Sequence, residues 1–418
     1  MEQNFAVLDK ISIAALFVFA AFSMFSISLT QVAAGLGGLA WILRTHLAGT
    51  WKNQYWPLGI PFLLYVLACL IAVANAYDIN YSYKSLKKLL EILIFFWVLN
   101  CIRNNRLRDS LSLVLIASAT LAGLLGIYQG WRDGVTVYTR AEGTLSTYMT
   151  LAGLLMMVGL LAVGRVLYRH PRESWLWACV GIIVTCLWFT LTRQALFGFF
   201  IGLIFFLFTK RKKYILILIF SLFVTTAIFH EQIQSGLMKT ELAQESLSLR
   251  NMRFRVQRML SGEDETFLVR VALWKGGWEI FKDYPLTGCG FRCVDLINDQ
   301  YPDPTGHIKY FRGMHNNLIQ LAVDTGILGI TAWLGIWAWF FRLLYHRAKA
   351  LKKDPHECWV IFGCAAAAIA FLAGGCFETN FYDSEVAMVL FFIMALPFAG
   401  SQSEKYASGK NIHISSRT

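Results

Sequence analysis

The chain has 418 residues, 56% of them hydrophobic and only 15% charged, against the roughly 25% charged usage of soluble domains. That balance excludes an ordinary soluble enzyme and points to a polytopic helical membrane protein. The formal net charge of +12 comes largely from loops between apolar runs. A nucleic-acid surface would need a basic, aromatic-laced patch in a soluble domain, which the sequence does not show.

In chain order, apolar runs at Ile11 to Leu29, Pro57 to Ala76, Leu145 to Leu167 and Tyr214 to Phe229 reach or approach the ~20 residues that cross a bilayer. About twelve spans can be drawn: 11–29, 31–47, 57–76, 86–102, 109–129, 145–165, 174–191, 194–209, 213–230, 316–341, 357–375 and 384–400. The first lacks a small-residue cleavage site before the next apolar run, so it reads as a retained helix. The division is 1–230 for helices one to nine, 231–315 for one large loop, 316–400 for helices ten to twelve, and 401–418 for a tail.

Every second connection is basic: Arg44 with Lys52, Arg103 with Arg106 and Arg108, Arg165 with Arg169 and Arg172, Lys210 to Lys213, and Arg342 through Lys353. By the excess of Lys and Arg in cytoplasmic loops, these lie inside with both termini. The long loop and the turn Glu378 to Glu385 then face the other side, the periplasm of a Gram-negative cell.

Seven cysteines lie in or beside spans, where thiols act as small hydrophobes. Cys289 and Cys293 share the external loop; their spacing permits a disulfide, and two reduced thiols fit as well. Neither a CxxC nor a His/Cys cluster has metal-ligand spacing. In the loop, Leu237 to Met259 carries apolar residues at helical spacing. Arg270 to Phe281 places Val271, Trp274, Trp278 and Phe281 near one face of a helix suited to the bilayer surface. Asp283 to Phe291 reads as a Pro and Gly turn, and Tyr301 to Gly306 as a second irregular segment.

Four cationic or titratable positions stand out on the external side. Arg193 sits between two apolar runs at the membrane boundary, where an arginine is costly unless it meets an anion or snorkels. Arg140 is either a second such group or an ordinary loop cation. Arg270 opens the amphipathic helix and could equally meet lipid phosphate or water. His315, beside Asn316 and Asn317 at a helix start, carries the side-chain type that can take a proton near neutral pH, and could exchange a proton, cap or pack. The acids Glu263 to Glu265 read as a solvated charge run, and Glu378, Asp383 and Glu385 as solvated loop acids or as contacts to a basic or hydroxyl-rich acceptor.

The order TLTRQALFG (190–198), RVALWKGGWEIFKDYPLTGCGF (270–291) and HNNLIQLAVDTGILG (315–329), with a long external loop between spans, resembles the O-antigen ligase and polymerase superfamily of bacterial membrane glycosyltransferases. The match runs from Trp188 to Asp324; the first half agrees only in topology. The resemblance implies an all-α, GT-C-like membrane enzyme of the ligase branch. It would move a glycan from undecaprenyl pyrophosphate to a lipid A-core sugar hydroxyl on the periplasmic face of the inner membrane, in lipopolysaccharide biosynthesis, without metal or cofactor. Its partners would be the carrier-linked donor, the lipid A-core acceptor and membrane lipids.

Under this resemblance His315 is the general base, with phosphate or hydroxyl binding as its other reading. Arg193 and Arg270 clamp the leaving pyrophosphate. Arg140, Asn316, Asn317 and Asp324 contact substrate, although Asp324, Gly326 and Gly329 could instead shape helix packing. An O-antigen polymerase or protein O-oligosaccharyltransferase of the same superfamily shares these features. A lipid or solute transporter is the competing class, disfavoured because its charged groups usually sit at mid-membrane.

Overall fold

A computed structural model describes residues 2–135, 139–169, 173–208, 265–301, 313–351 and 354–400. The expected span at 213–230, the stretch Leu237 to Met259, Glu263 with Asp264, and the tail 401–418 fall outside them. The described chain is helical: α1 (Glu2–Phe22), α2 (Ile27–Leu47), α3 (Gly59–Ala74), α4 (Ile79–Ser82), α5 (Ile92–Cys101), α6 (Asn105–Asp133), α7 (Tyr148–Arg169), α8 (Leu176–Phe189), α9 (Arg193–Leu207), α10 (Glu265–Asp283), α11 (Val294–Ile297), α12 (Asn317–Ala350), α13 (Pro355–Gly374) and α14 (Ser384–Ala395). Six helices are long and apolar enough to cross a membrane: α1, α2, α6, α7, α12 and α13. Four shorter apolar ones, α3, α8, α9 and α14 with its 3-10 extension to Phe398, pack among them.

Several boundaries differ from the expected ones for local reasons. The first connection lies at 23–26 rather than near residue 30, because the Ser26 side chain accepts the Leu29 N–H and starts α2 there. The expected span 86–102 is shorter. Its first part, within Tyr83–Glu91, is a 3-10 helix carrying Lys84, Lys87 and Lys88, and only Ile92–Cys101 is α-helical.

The core sits on α7, whose residues Thr150 through Leu167 are all buried. Small residues let its neighbours approach, as at membrane helix interfaces. A Cβ on Gly198 of α9 would fall 2.5 Å from the Ala370 carbonyl oxygen of α13, and one on Gly164 of α7 2.7 Å from Gly363 Cα.

One end of this bundle is tied by a buried charge network. Arg108 donates to Glu357 (2.9 Å), Arg165 to Glu173 (2.6 Å) and Arg347 to Glu357 (3.0 Å), while Arg169 pairs with Asp109 (2.5 Å). Trp359 lies between the guanidinium groups of Arg108 and Arg165, 5.8 and 4.8 Å from its ring centre. These groups sit at the start of α6 and α13 and the end of α7 and α12. His315 stands at the other end of α12, so the candidate site and the charge network occupy opposite poles.

The helix α12 is not continuous. Gly326 is non-helical, with φ 61° and ψ −162°, and the backbone groups freed by this break are taken up by the 285–290 segment. Cys289 N–H donates to the Val323 carbonyl (2.9 Å), Gly290 N–H to that of Asp324 (3.2 Å), and Ile327 N–H to that of Pro285 (2.9 Å). The DYPLTGCG and DTG motifs are therefore two sides of one joint. Cys289 and Cys293, in and beside this joint, are disulfide-bonded.

Candidate active site

His315 lies just before α12, held by both neighbours in sequence. Its φ of 46° is in the left-handed region, which is uncommon for residues other than glycine and occurs at sites fixed by their surroundings. Asn316 caps α12: its Oδ1 accepts from Leu318 N–H (2.9 Å) and Ile319 N–H (3.1 Å), and its Nδ2 donates to the Cys376 carbonyl (2.9 Å). Asn317 is buried. It donates to Asn380 Oδ1 (2.6 Å) and accepts from Phe381 N–H (3.2 Å). The two asparagines thus fasten the start of α12 to the turn that follows α13.

That turn delivers Glu378 to the imidazole. His315 Nδ1 lies 3.1 Å from Glu378 Oε1 and 3.2 Å from Oε2. Burial pushes the Glu378 carboxyl up, but the His315 hydrogen bond and charge, the Thr379 N–H and the charge of Arg270 together hold it below its ordinary value. An ionised carboxylate only accepts, so His315 Nδ1 carries the proton between them. Gln194 Nε2 also donates to Glu378 Oε2 (3.2 Å).

Arg193 and Arg270 belong to two different helices that border this place. Arg193 is the first residue of α9, directly before Gln194, and follows Leu191 at φ 49°. Arg270 is close enough for its charge to act on Glu378. One helical turn after each arginine comes an aromatic ring, Phe197 and Trp274, and both meet Phe377, at 5.8 and 6.2 Å between centres. Trp274 Nε1 also donates to the Met314 carbonyl (3.0 Å), next to His315. The helices that carry Arg193 and Arg270 thus meet at Phe377, next to Glu378 and its partner His315.

The other expected residues lie further out. Arg140 stacks on Tyr148 at the start of α7, its guanidinium carbon 4.3 Å from the ring centre. The Tyr148 helix borders the same turn through Thr150, which donates to Asp383 (2.6 Å). Asp324 is buried beside the α12 break and accepts from Gln320 Nε2 (3.0 Å), while Gln320 Oε1 accepts the Met314 N–H (2.9 Å). Asp324 thus connects through one amide to the backbone of Met314, the residue before His315.

One expectation is corrected here. The acids of the 378–385 turn are not solvated: Glu378 pairs with His315, Asp383 caps α14 through Glu385 N–H (3.0 Å), and Glu385 is buried. A return turn supplies them with partners that are distant in sequence. The helix α10 packs on the body through a face distinct from that of Trp278: Leu273, Gly276, Gly277 and Ile280 are buried, whereas Trp278 is exposed, and Gly277 lets the helix approach Met314, Ile319 and Val323.

Sequence reasoning also missed Lys88. Its ammonium donates to the Tyr382 carbonyl and lies 5.6 Å from that ring's centre. With Glu91, Arg292, Phe381 and Tyr382 it lines a pocket walled by the same turn. Lysines at the head of a short apolar helix look like interfacial anchors, so nothing local distinguished this one.

The helices and the site define an all-α polytopic membrane protein with a cationic, histidine-bearing centre at one pole. Residues 177–334 are similar to the family model described as O-Antigen ligase. Arg193, Arg270, His315 and Asp324 lie inside the matched segment; Arg140 and Glu378 lie outside it. Comparison with curated proteins gave no match.

Proposed function

We propose that the protein transfers a glycan from an undecaprenyl pyrophosphate carrier to a sugar hydroxyl of lipid A-core, at the periplasmic face of the inner membrane. The observation that carries this reading is the His315–Glu378 pair, with the charge of Arg270 acting on Glu378 and Arg193 heading α9 beside Gln194, which donates to the same carboxylate. Glu378 orients the imidazole so that Nε2 receives the proton of the acceptor hydroxyl. That oxygen forms a bond to the sugar C1 as the bond from C1 to the phosphate oxygen breaks, and the carrier pyrophosphate departs with the electron pair. Direct displacement inverts the anomeric configuration.

Arg193 and Arg270 meet the charge that develops on the departing pyrophosphate. Guanidinium forks bind such oxygens bidentately and stay charged at any working pH. Asn316, Asn317 and Asp324 position the histidine. Arg140 and the Lys88–Arg292 pocket offer further cationic walls along the same turn for an anionic lipid acceptor.

Transport is less well supported. The backbone groups freed at Gly326 are bonded to the 285–290 segment, whereas a transporter's broken helix aims such groups at its cargo. The test is which lipid accumulates on loss of the gene. Carrier-linked polymer supports the ligase reading, and carrier-linked single repeats would replace it with a polymerase.

A further inference from the structure

At the pole opposite His315, α1, α2 and α5 enclose a second polar site. The helix α5 follows the segment whose Lys88 meets the 378–385 turn, so its last residues lie a helix length away from that turn. There Asp9 of α1 is shared by two arginines: Arg44 Nε stands 3.2 Å from Oδ1 and Arg103 Nη2 2.6 Å from Oδ2. These three are the charged residues lining the pocket, together with Ser12, Thr45 and Asn100. Two guanidinium groups against one carboxylate leave a net positive charge.

Thr45 adds an independent sign of a ligand. It lines the pocket, is fully buried, and its hydroxyl has no hydrogen-bond partner among the described residues. A buried polar group without a partner costs roughly 1–3 kcal/mol, so an acceptor entering the pocket would relieve that cost. The other hydroxyl, of Ser12, is engaged by the Gly37 carbonyl (3.1 Å) and Trp97 Nε1 (2.8 Å).

The surroundings indicate the kind of acceptor. Trp41, Trp51 and Trp56 form a trio with ring centres 6.1–6.3 Å apart, and α2 turns Leu39, Leu43 and Leu47 outward beside it. Indole rings beside an apolar helix face mark a membrane interface, and basic pockets between spanning helices suit lipid phosphates. We infer that Arg44, Arg103 and Thr45 bind the phosphate of an anionic phospholipid in the leaflet opposite the candidate active site.

The experiment uses the full chain, delipidated in detergent, and follows thermal unfolding with three probes: dihexanoyl phosphatidylglycerol, dihexanoyl phosphatidylcholine and inorganic phosphate. Phosphatidylglycerol should stabilise the protein at concentrations about tenfold below those of phosphatidylcholine, and inorganic phosphate should have no effect. Arg44→Gln with Arg103→Gln should abolish the response. Thr45→Val removes a hydroxyl without a partner among the described residues, so it should fold normally yet respond to phosphatidylglycerol about tenfold more weakly. Equal stabilisation by inorganic phosphate, equal stabilisation by the two lipids, or an unchanged Thr45→Val response would each overturn the assignment.

Discussion

His315 Nδ1 and Glu378 Oε1 are 3.1 Å apart although 63 residues separate them in sequence. The contact joins the start of α12 to the turn after α13, and in the proposed reaction it is what would leave Nε2 to face the acceptor hydroxyl. Glu378→Gln keeps the size of the side chain but can donate through its amide, which permits the opposite tautomer. Transfer should fall by about 10²- to 10⁴-fold, the scale on which a misoriented base loses rate. Initial rates in proteoliposomes at matched protein amounts check this; wild-type rates would remove Glu378 from the mechanism.

The same pair makes stability depend on pH with a defined sign. Glu378 is held below its ordinary value of 4.5, so its pairing contributes fully above about pH 4.5 and is lost as the pH falls through the lower native value. The difference in melting temperature between wild type and Glu378→Gln should shrink as the pH falls below about 4.5. A difference that does not shrink there contradicts the pairing.

Arg193→Ala and Arg270→Ala should each reduce transfer by roughly 10²- to 10³-fold, the usual cost of one lost donor to developing charge. Lysine should rescue poorly at either position, since an ammonium lacks the bidentate fork. Melting temperatures near wild type would show that the loss is chemical. Full rescue by lysine would reduce the arginines to simple point charges.

The joint at Gly326 should tolerate no side chain. A Cβ there would fall 2.5 Å from the Leu286 carbonyl, and one on Gly288 2.4 Å from the Asp324 carbonyl carbon. Gly326→Ala also meets the left-handed φ of 61°, so a destabilisation of about 1–3 kcal/mol is expected. Gly329→Ala is the informative comparison, because the nearest atoms to its Cβ belong to the Thr325 side chain rather than backbone. Chemical denaturation should rank Gly326→Ala as the more harmful; the reverse order would refute the joint.

Helical class and the order of the apolar runs were legible because a bilayer demands long apolar stretches, as α7 and α12 show. Arg193, Arg270 and His315 were legible as isolated polar groups at apolar boundaries. Glu378 was not, since its meaning depends on a turn that folds back to residue 315. The break at Gly326 was hidden for a similar reason: the DTG sequence is compatible with a helix, and only the 285–290 segment docking on it supplies hydrogen bonds to a broken one. The packed face of α10 escaped because its glycines carry no hydrophobic signal.

The most direct test of the central claim separates binding from chemistry in His315→Ala. Purified wild-type and variant protein would be given carrier-linked glycan and acceptor lipid, with donor affinity and single-turnover transfer measured separately. An imidazole that accepts the hydroxyl proton predicts affinity within a few-fold of wild type and transfer reduced by about 10²- to 10⁴-fold. Transfer within tenfold of wild type, or a loss confined to donor affinity, would contradict it.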